Sequence, residues 1–319
     1  MYPTEIFEKK ILISPLNWGM GHVSRCIPLI KRLKKQNNEI FIACSEIQRE
    51  VFESYFHQEI TYVHHEGYPF RFKGRGNFIL DSVINLKKLQ KRHKQELLEV
   101  YNIVDNYGID IVISDHRYGF RSEKCTSIFM THQLQLPLPW YLKIIQARHA
   151  KLVSKFNFQW IVDDESQRLA GKLSSNENFP NAIFIGLLSR FEDLIPSKAR
   201  EKSVLIVSGP SSYYSKLFDY YNSKIKNDDI ELIIGNDESF EILKNINKNV
   251  NFHNAKNWKY TDNLILNAKR IYGYCGYSTL MDIKHLGCDF NLIACPGQLE
   301  QLYLHKKVLR NSQDFNLYD

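Results

Sequence analysis

Short apolar runs alternate with amphipathic stretches along almost the whole chain. Ile11–Ser14 reads as a strand, and Val23, Cys26, Ile27, Ile30 and Leu33 then fall on one face of a helix. Glu39–Cys44 is the next strand. Strand–helix–strand units of this kind predict parallel strands joined by right-handed crossovers. Further strands are expected near Ile60–His64 and at Ile109–Ser114, Ser127–Thr131, Trp160–Asp163 and Ala182–Gly186, with a long helix over Asp81–Asn106. The same pattern restarts at Ser203–Val207. A helix over Tyr213–Lys226 follows, then strands at Ile230–Ile234, Val250–His253, Arg270–Tyr274 and Asn291–Cys295, and a terminal helix after Pro296-Gly297. The connection Leu187–Lys202 carries charges, a proline and no clear period, which sets the boundary between domains of 1–190 and 191–319.

The fold class that follows is α/β, with two Rossmann-like domains whose parallel sheets face a cleft. In open parallel sheets ligands sit at the carboxyl ends of the strands, so the loops that leave those ends are where chemistry is expected.

Composition narrows the function classes. The chain has 319 residues, of which 44% are hydrophobic and 24% charged, which fits a globular enzyme rather than a disordered or fibrous chain. A net charge of +7 suits anionic small molecules or an anionic membrane surface. No zinc finger, RRM signature or basic-aromatic repeat supports nucleic acid as a partner. The lysine clusters at 31–35 and 87–94 read as solvated helix faces. The six cysteines form no CxxC pair and sit in or beside apolar runs, as buried hydrophobes in a reducing compartment would. Met1–Glu5 carries no signal peptide, and no apolar run approaches the roughly 20 residues that span a bilayer. A cytoplasmic protein is expected, with peripheral contact to the inner face of a membrane within reach; Tyr68–Arg75 reads first as an ordinary surface loop, with an acceptor or membrane loop as the alternative.

The candidate chemistry lies at turns. Gly19-Met20-Gly21-His22-Val23-Ser24-Arg25 follows the first strand, so its glycines would let a phosphate approach backbone N–H groups at a helix start. Ser24 stands where a dinucleotide site has its third glycine, which disfavours NAD. His22, in the first helical turn, would be held neutral by the helix dipole and so serve as a general base. Arg25, one turn on, is placed to grip a phosphate. Asp115 ends a strand and would orient or replace His22, while His132 would meet the acceptor; structural hydrogen bonding is the alternative for each.

In the second half, Gly276, Ser278 and Thr279 would surround a pyrophosphate, with Asp282 on a ribose hydroxyl; the plain alternative is a capping box from Thr279 to Asp282. Ser208 and Gly209 form another small-residue turn. Gln298, Glu300 and Gln301 follow Pro296-Gly297 and suit the hydroxyls of a sugar. The pair His64-His65 lacks ligand-like spacing to Cys or Asp, so no metal is expected.

Taken together, the Gly19–Arg25 segment, the Gly276-Tyr277-Ser278-Thr279 turn and Pro296–Gln301 resemble the GT-B nucleotide-sugar glycosyltransferases. The nearest likeness is to bacterial enzymes similar to the peptidoglycan N-acetylglucosaminyltransferase of lipid II synthesis. The resemblance runs from residue 9 to about residue 305. It implies a donor held mainly by the second domain, Asp282 on ribose, Glu300 and Gln301 on the donor sugar, and His22 near the reaction centre. It also implies inverting transfer from a nucleoside diphosphate sugar, with a UDP-sugar expected, to a saccharide or lipid-linked acceptor, with no cofactor beyond that co-substrate.

The chain departs from that enzyme in having fewer glycines in the first loop, Asp282 where the family has Glu, and a shorter segment between Pro296 and its polar pair. It also ends soon after the last helix starts, where GT-B enzymes usually continue. A nucleotide-sugar hydrolase or epimerase of the same fold, and a non-catalytic nucleotide-sugar binding protein, are the alternatives.

Overall fold

The computed structural model describes residues 1–69, 78–167, 169–209, 211–222, 230–234 and 251–310. The chain divides into two compact units, Met1–Arg71 with Ser82–Leu188, and Phe72–Asp81 with Ser189–Asp319.

The first unit holds a seven-stranded sheet, all of whose neighbours pair in parallel. Its strands are β1 (Lys10–Pro15), β2 (Glu39–Cys44), β3 (Thr61–His64), β4 (Ile111–Asp115), β5 (Thr126–Thr131), β6 (Phe158–Ile161) and β7 (Ala182–Phe184). They lie in the order β3-β2-β1-β4-β5-β6-β7. The central strands are buried along almost their whole length, Lys10 at the start of β1 apart, because helices cover both faces of a parallel sheet, so they read as continuous apolar runs. On one face Leu12, Phe41 and Val112 meet Val100, Ile103 and Val104 of the long helix α3 (Phe78–Tyr107). Helix α1 (Met20–Lys34) returns from β1 to β2 and buries Val23, Cys26, Ile27, Ile30 and Leu33, the face expected from their spacing.

Strand order reverses between β1 and β4, the point at which loops leave in opposite directions and open a crevice. Pro15 lies beside Asp115 there, and the Leu16 N–H donates to the Asp115 carbonyl at 3.0 Å.

The second unit repeats the design with five parallel strands in the order β10-β9-β8-β11-β12. They are β8 (Ser203–Val207), β9 (Ile230–Ile234), β10 (Asn251–Asn254), β11 (Arg270–Tyr274) and β12 (Asp289–Ile293). Its switch point falls between β8 and β11. Leu205, Val207, Tyr272 and Tyr274 pack on Leu217 and Phe218 of helix α5 (Tyr214–Asn222).

Several elements differ from expectation. β12 begins two residues early, at Asp289, which pairs with Arg270 at the start of β11. Helices α2 (Glu46–Phe56), α4 (Lys143–Val153) and α6 (Trp258–Leu266) were not anticipated. α2 carries a readable signal, because Gln48 Oε1 accepts from the Ser45 N–H at 3.2 Å and so closes a capping box. Arg92 is not on a solvated face but is buried, with its guanidinium on both oxygens of Glu99. The 223–226 end of the expected α5 and position 250 lie outside the described residues.

Candidate active site

The site at the first switch point starts from Gly19. Its φ of +131° is closed to L side chains, and it stands as the N-cap of α1 without a capping side chain. The helix starts at Met20, one residue before the second glycine, so His22 sits at its third position. A Cβ at Gly19 would meet nothing within 4 Å, so Gly19→Ala should act through backbone strain alone. The expected cost is about 1–3 kcal/mol, read as a lowered midpoint in urea unfolding.

Four side chains converge under this turn. His22 Nδ1 lies 3.0 Å from Asp115 Oδ2. Arg25 Nε donates to the same oxygen at 2.9 Å, and its Nη2 donates to Oδ1. Arg25 Nη1 donates to His132 Nδ1 at 2.9 Å. Arg25 Nη2 also lies 2.8 Å from His22 Nδ1, so this nitrogen stands between a group that only accepts, Asp115, and one that only donates, Arg25; with the proton on Nδ1 the Asp115 bond is made and Nε2 keeps its lone pair. Nε2 makes no hydrogen bond to any described residue, and the ring is partly exposed whereas Asp115 is fully buried. A half-open imidazole backed by a buried carboxylate is the arrangement a general base needs.

Charge sets the protonation states. Burial, then the nearby Arg25 cation, holds the His22 imidazole below its ordinary value, although Asp115 pulls the other way. The helix dipole is therefore not the cause that needs to be invoked. Burial raises the Asp115 carboxyl, but Arg25 and His22 outweigh it and hold it well below the usual carboxylate range.

Arg25 is 2% exposed and its donors point at Asp115 and His132, so it does not grip a phosphate as expected. It is the cation that allows Asp115 to be buried as an anion. His132 is likewise buried, with Nε2 beside the Gln133 amide at 3.2 Å, and it backs Arg25 instead of meeting an acceptor.

His116 was missed. It follows Asp115 with φ +63°, sets its ring edge-on to His22 with centroids 5.8 Å apart, and keeps Nδ1 buried without a hydrogen bond. No sequence signal marks a non-glycine residue in this conformation.

A second buried layer was also missed. Arg117 Nε donates to Glu96 Oε1 and the Tyr68 hydroxyl to Glu96 Oε2, both at 2.6 Å. Asn17 pairs with the backbone of Tyr68 in both directions, which ties the loop after β3 to the loop after β1.

In the second unit the expected residues lie on two adjacent loops. Helix α7 (Tyr277–Leu286) has Gly276 as its N-cap with no capping side chain, so the capping box from Thr279 does not form. Ser278 and Thr279 lie in its first turn. Asp282 lies in the second turn, buried, where it accepts from the Ser189 hydroxyl at 2.8 Å and from Arg190 at 3.0 Å. Both its oxygens accept hydrogen bonds within the unit, which gives it a structural role there.

Pro296 and Gly297 form a type II turn, closed by the Gln298 N–H on the Cys295 carbonyl at 3.2 Å, with Gly297 at φ +77°. Gln301 spends its side-chain carbonyl on the Cys295 N–H at 2.8 Å. Burial, then the Glu300 charge, pushes the Cys275 thiol up to about 12, which places Glu300 near the Gly276 turn. Ser208 and Gly209 are exposed after β8, across the switch point from that turn.

No family model matches the sequence, and no curated protein matches it. Solved structures do match over nearly the full length. The glycosyltransferase of kitacinnamycin aligns with TM-score 0.62 and 13% identity, covering 93% of this chain and 83% of the other. The chain has the GT-B fold. The UDP-GlcNAc 2-epimerase from Neisseria meningitidis, bound to UDP-GlcNAc, aligns with TM-score 0.60 and 10% identity, covering 97% and 93%. The spinosyn rhamnosyltransferase SpnG, complexed with thymidine diphosphate, aligns with TM-score 0.60 and 10% identity, covering 96% and 90%. GT-B is thus shared here by transferases and an epimerase, and at these identities the likeness is one of fold.

Proposed function

We propose that this protein is a nucleotide-sugar enzyme that transfers a sugar from a nucleoside diphosphate donor, in the first instance a UDP-sugar, to an acceptor hydroxyl. The observation that carries the reading is the His22 imidazole, with Nδ1 on a buried Asp115 carboxylate and Nε2 without a partner among the described residues. His22 Nε2 takes the proton of the acceptor hydroxyl as its oxygen bonds to the anomeric carbon. The bond from that carbon to the diphosphate breaks, with inversion and without a metal. Asp115 stabilises the imidazolium that results.

On the donor side the uncapped start of α7, with Gly276, Ser278 and Thr279, supplies N–H donors for the leaving diphosphate. Ser208, Gly209, Gln298 and Glu300 line the neighbouring loops, and the nitrogen of the Gln301 amide faces the donor sugar. Arg25, His132 and Asp282 drop out as ligands, because their polar atoms are engaged inside their own units. The acceptor is a saccharide or lipid-linked hydroxyl.

A second reading, epimerisation or hydrolysis of the nucleotide sugar, is favoured by the equal fold likeness to a UDP-GlcNAc 2-epimerase. The protein should be incubated with UDP-, TDP- and GDP-sugars, with and without a bacterial envelope lipid and saccharide extract. Nucleotide release that requires the extract supports transfer. Release without it supports hydrolysis, and a 2-epimer seen by NMR supports epimerisation. Binding without any turnover would sink the catalytic reading.

A further inference from the structure

The loop that leaves the site after His132 ends in an exposed apolar tip. Trp140 is 79%, Tyr141 64% and Ile144 79% exposed, three large apolar side chains within five positions. The two rings pack edge to face with centroids 5.9 Å apart. Scattered exposed hydrophobes are ordinary, but a cluster at one protruding point is not.

The tip is firmly mounted. Gln146 brackets the loop, its Oε1 accepting from the Leu136 N–H at 2.8 Å and its Nε2 donating to the Leu134 carbonyl at 2.9 Å. His149 Nε2 donates to the Gln133 carbonyl at 3.1 Å, and the Tyr118 hydroxyl donates to His149 Nδ1 at 2.8 Å. The inward face of α4 is thus occupied by its own unit.

The outward face continues from Ile144 through Arg148 and Lys151, one helical turn or so apart and exposed, with Lys143 beside them and the exposed Lys155 just past the helix end. Between Glu123 and Asp163 the sequence contains no acidic residue.

We propose that Trp140, Tyr141 and Ile144, flanked by Lys143, Arg148 and Lys151, dock the protein on an anionic lipid bilayer. Aromatic rings with a polar edge settle at the headgroup level, and the adjoining cations meet lipid phosphates. Charge complementarity selects this occupant. A second copy in a two-fold contact would set the same basic stripe against itself. Docking here would hold the protein at the membrane by a surface eight residues from His132. It stands independently of the sugar-transfer reading, and it moves the membrane contact away from Tyr68–Arg75, whose 70–75 portion lies outside the described residues.

The test is co-sedimentation of the full chain with vesicles of phosphatidylcholine alone and of phosphatidylcholine mixed with phosphatidylglycerol. Binding is expected only to the mixed vesicles, weakening with added salt. The triple change Lys143→Gln, Arg148→Gln, Lys151→Gln should weaken it on the order of a hundredfold. Trp140→Ser with Ile144→Ser should weaken it at least about tenfold. These residues are exposed, so the melting temperature should hold in both variants. No binding to mixed vesicles, or binding equal in the variants, would overturn the proposal. So would concentration-dependent dimers, seen by light scattering, that the Trp140→Ser and Ile144→Ser change abolishes. Nucleotide binding measured on the same preparations reports separately on the sugar-transfer reading.

Discussion

His22→Ala should lower kcat by about 10²–10⁴-fold, the usual contribution of a positioned general base, while nucleotide affinity stays near the parent value. The imidazole is partly exposed and, among the described residues, Asp115 and Arg25 are its hydrogen-bond partners, so removing it costs little in packing. The pH profile follows from the sign of the shift. His22 works when neutral, and burial together with Arg25 holds it below the ordinary 6.5. The rate should therefore be level above neutral pH and fall only as pH drops through a value under 6.5. Asp115→Asn should also lower kcat, because a neutral amide cannot stabilise the imidazolium. A His22→Ala enzyme with an unchanged rate, or an acid limb above 7, would show that another group takes the proton.

Arg25→Leu should be strongly destabilising to the first unit. It leaves the Asp115 carboxylate, fully buried, without its guanidinium, and strips a donor from His132. Breaking a buried pair from one side costs about 3–5 kcal/mol, and the melting temperature should fall on the order of 10 °C. The pair as a whole need not be worth that much, since its desolvation cost offsets much of the attraction. The double change Arg25→Leu with Asp115→Leu should accordingly lose less than the two single changes summed. Strict additivity would mean that the two side chains do not depend on each other. A second readout separates positioning from folding. With the cation gone, His22 should titrate higher, and the acid limb of any residual activity should move up in pH.

Much of the fold is legible in the sequence. Twelve strands were readable, the central ones because strands buried on both faces leave near-continuous apolar runs between polar turns. Ile11–Ser14 and Arg270–Tyr274 are of this kind. Helices such as α4 were not readable, because part of their apolar surface faces outward and blurs the period, as Ile144 does.

At the site, Gly19, His22 and Asp115 could be placed by their positions at strand ends. What could not be read was which way each polar group turns. Arg25 looks like a phosphate ligand until the register of β1 against β4 brings Asp115 beneath it. Asp282 looks like a ribose ligand until Ser189 and Arg190, ninety-odd positions earlier, are found on its oxygens. Contacts between residues far apart in sequence leave no local pattern. His116, Glu96 and Arg117 were missed for the same reason.

Under the proposed function this GT-B chain binds a nucleoside diphosphate sugar. The most direct measurement is thermal unfolding of the full chain against a panel of UDP, TDP, GDP and their sugars. A ligand present at a hundred times its Kd stabilises the folded form by about 2.7 kcal/mol, enough to raise the unfolding midpoint by several degrees. The account predicts such a shift with at least one nucleotide of the panel, UDP foremost, and its retention in His22→Ala. No shift with any of them at millimolar concentration would contradict it.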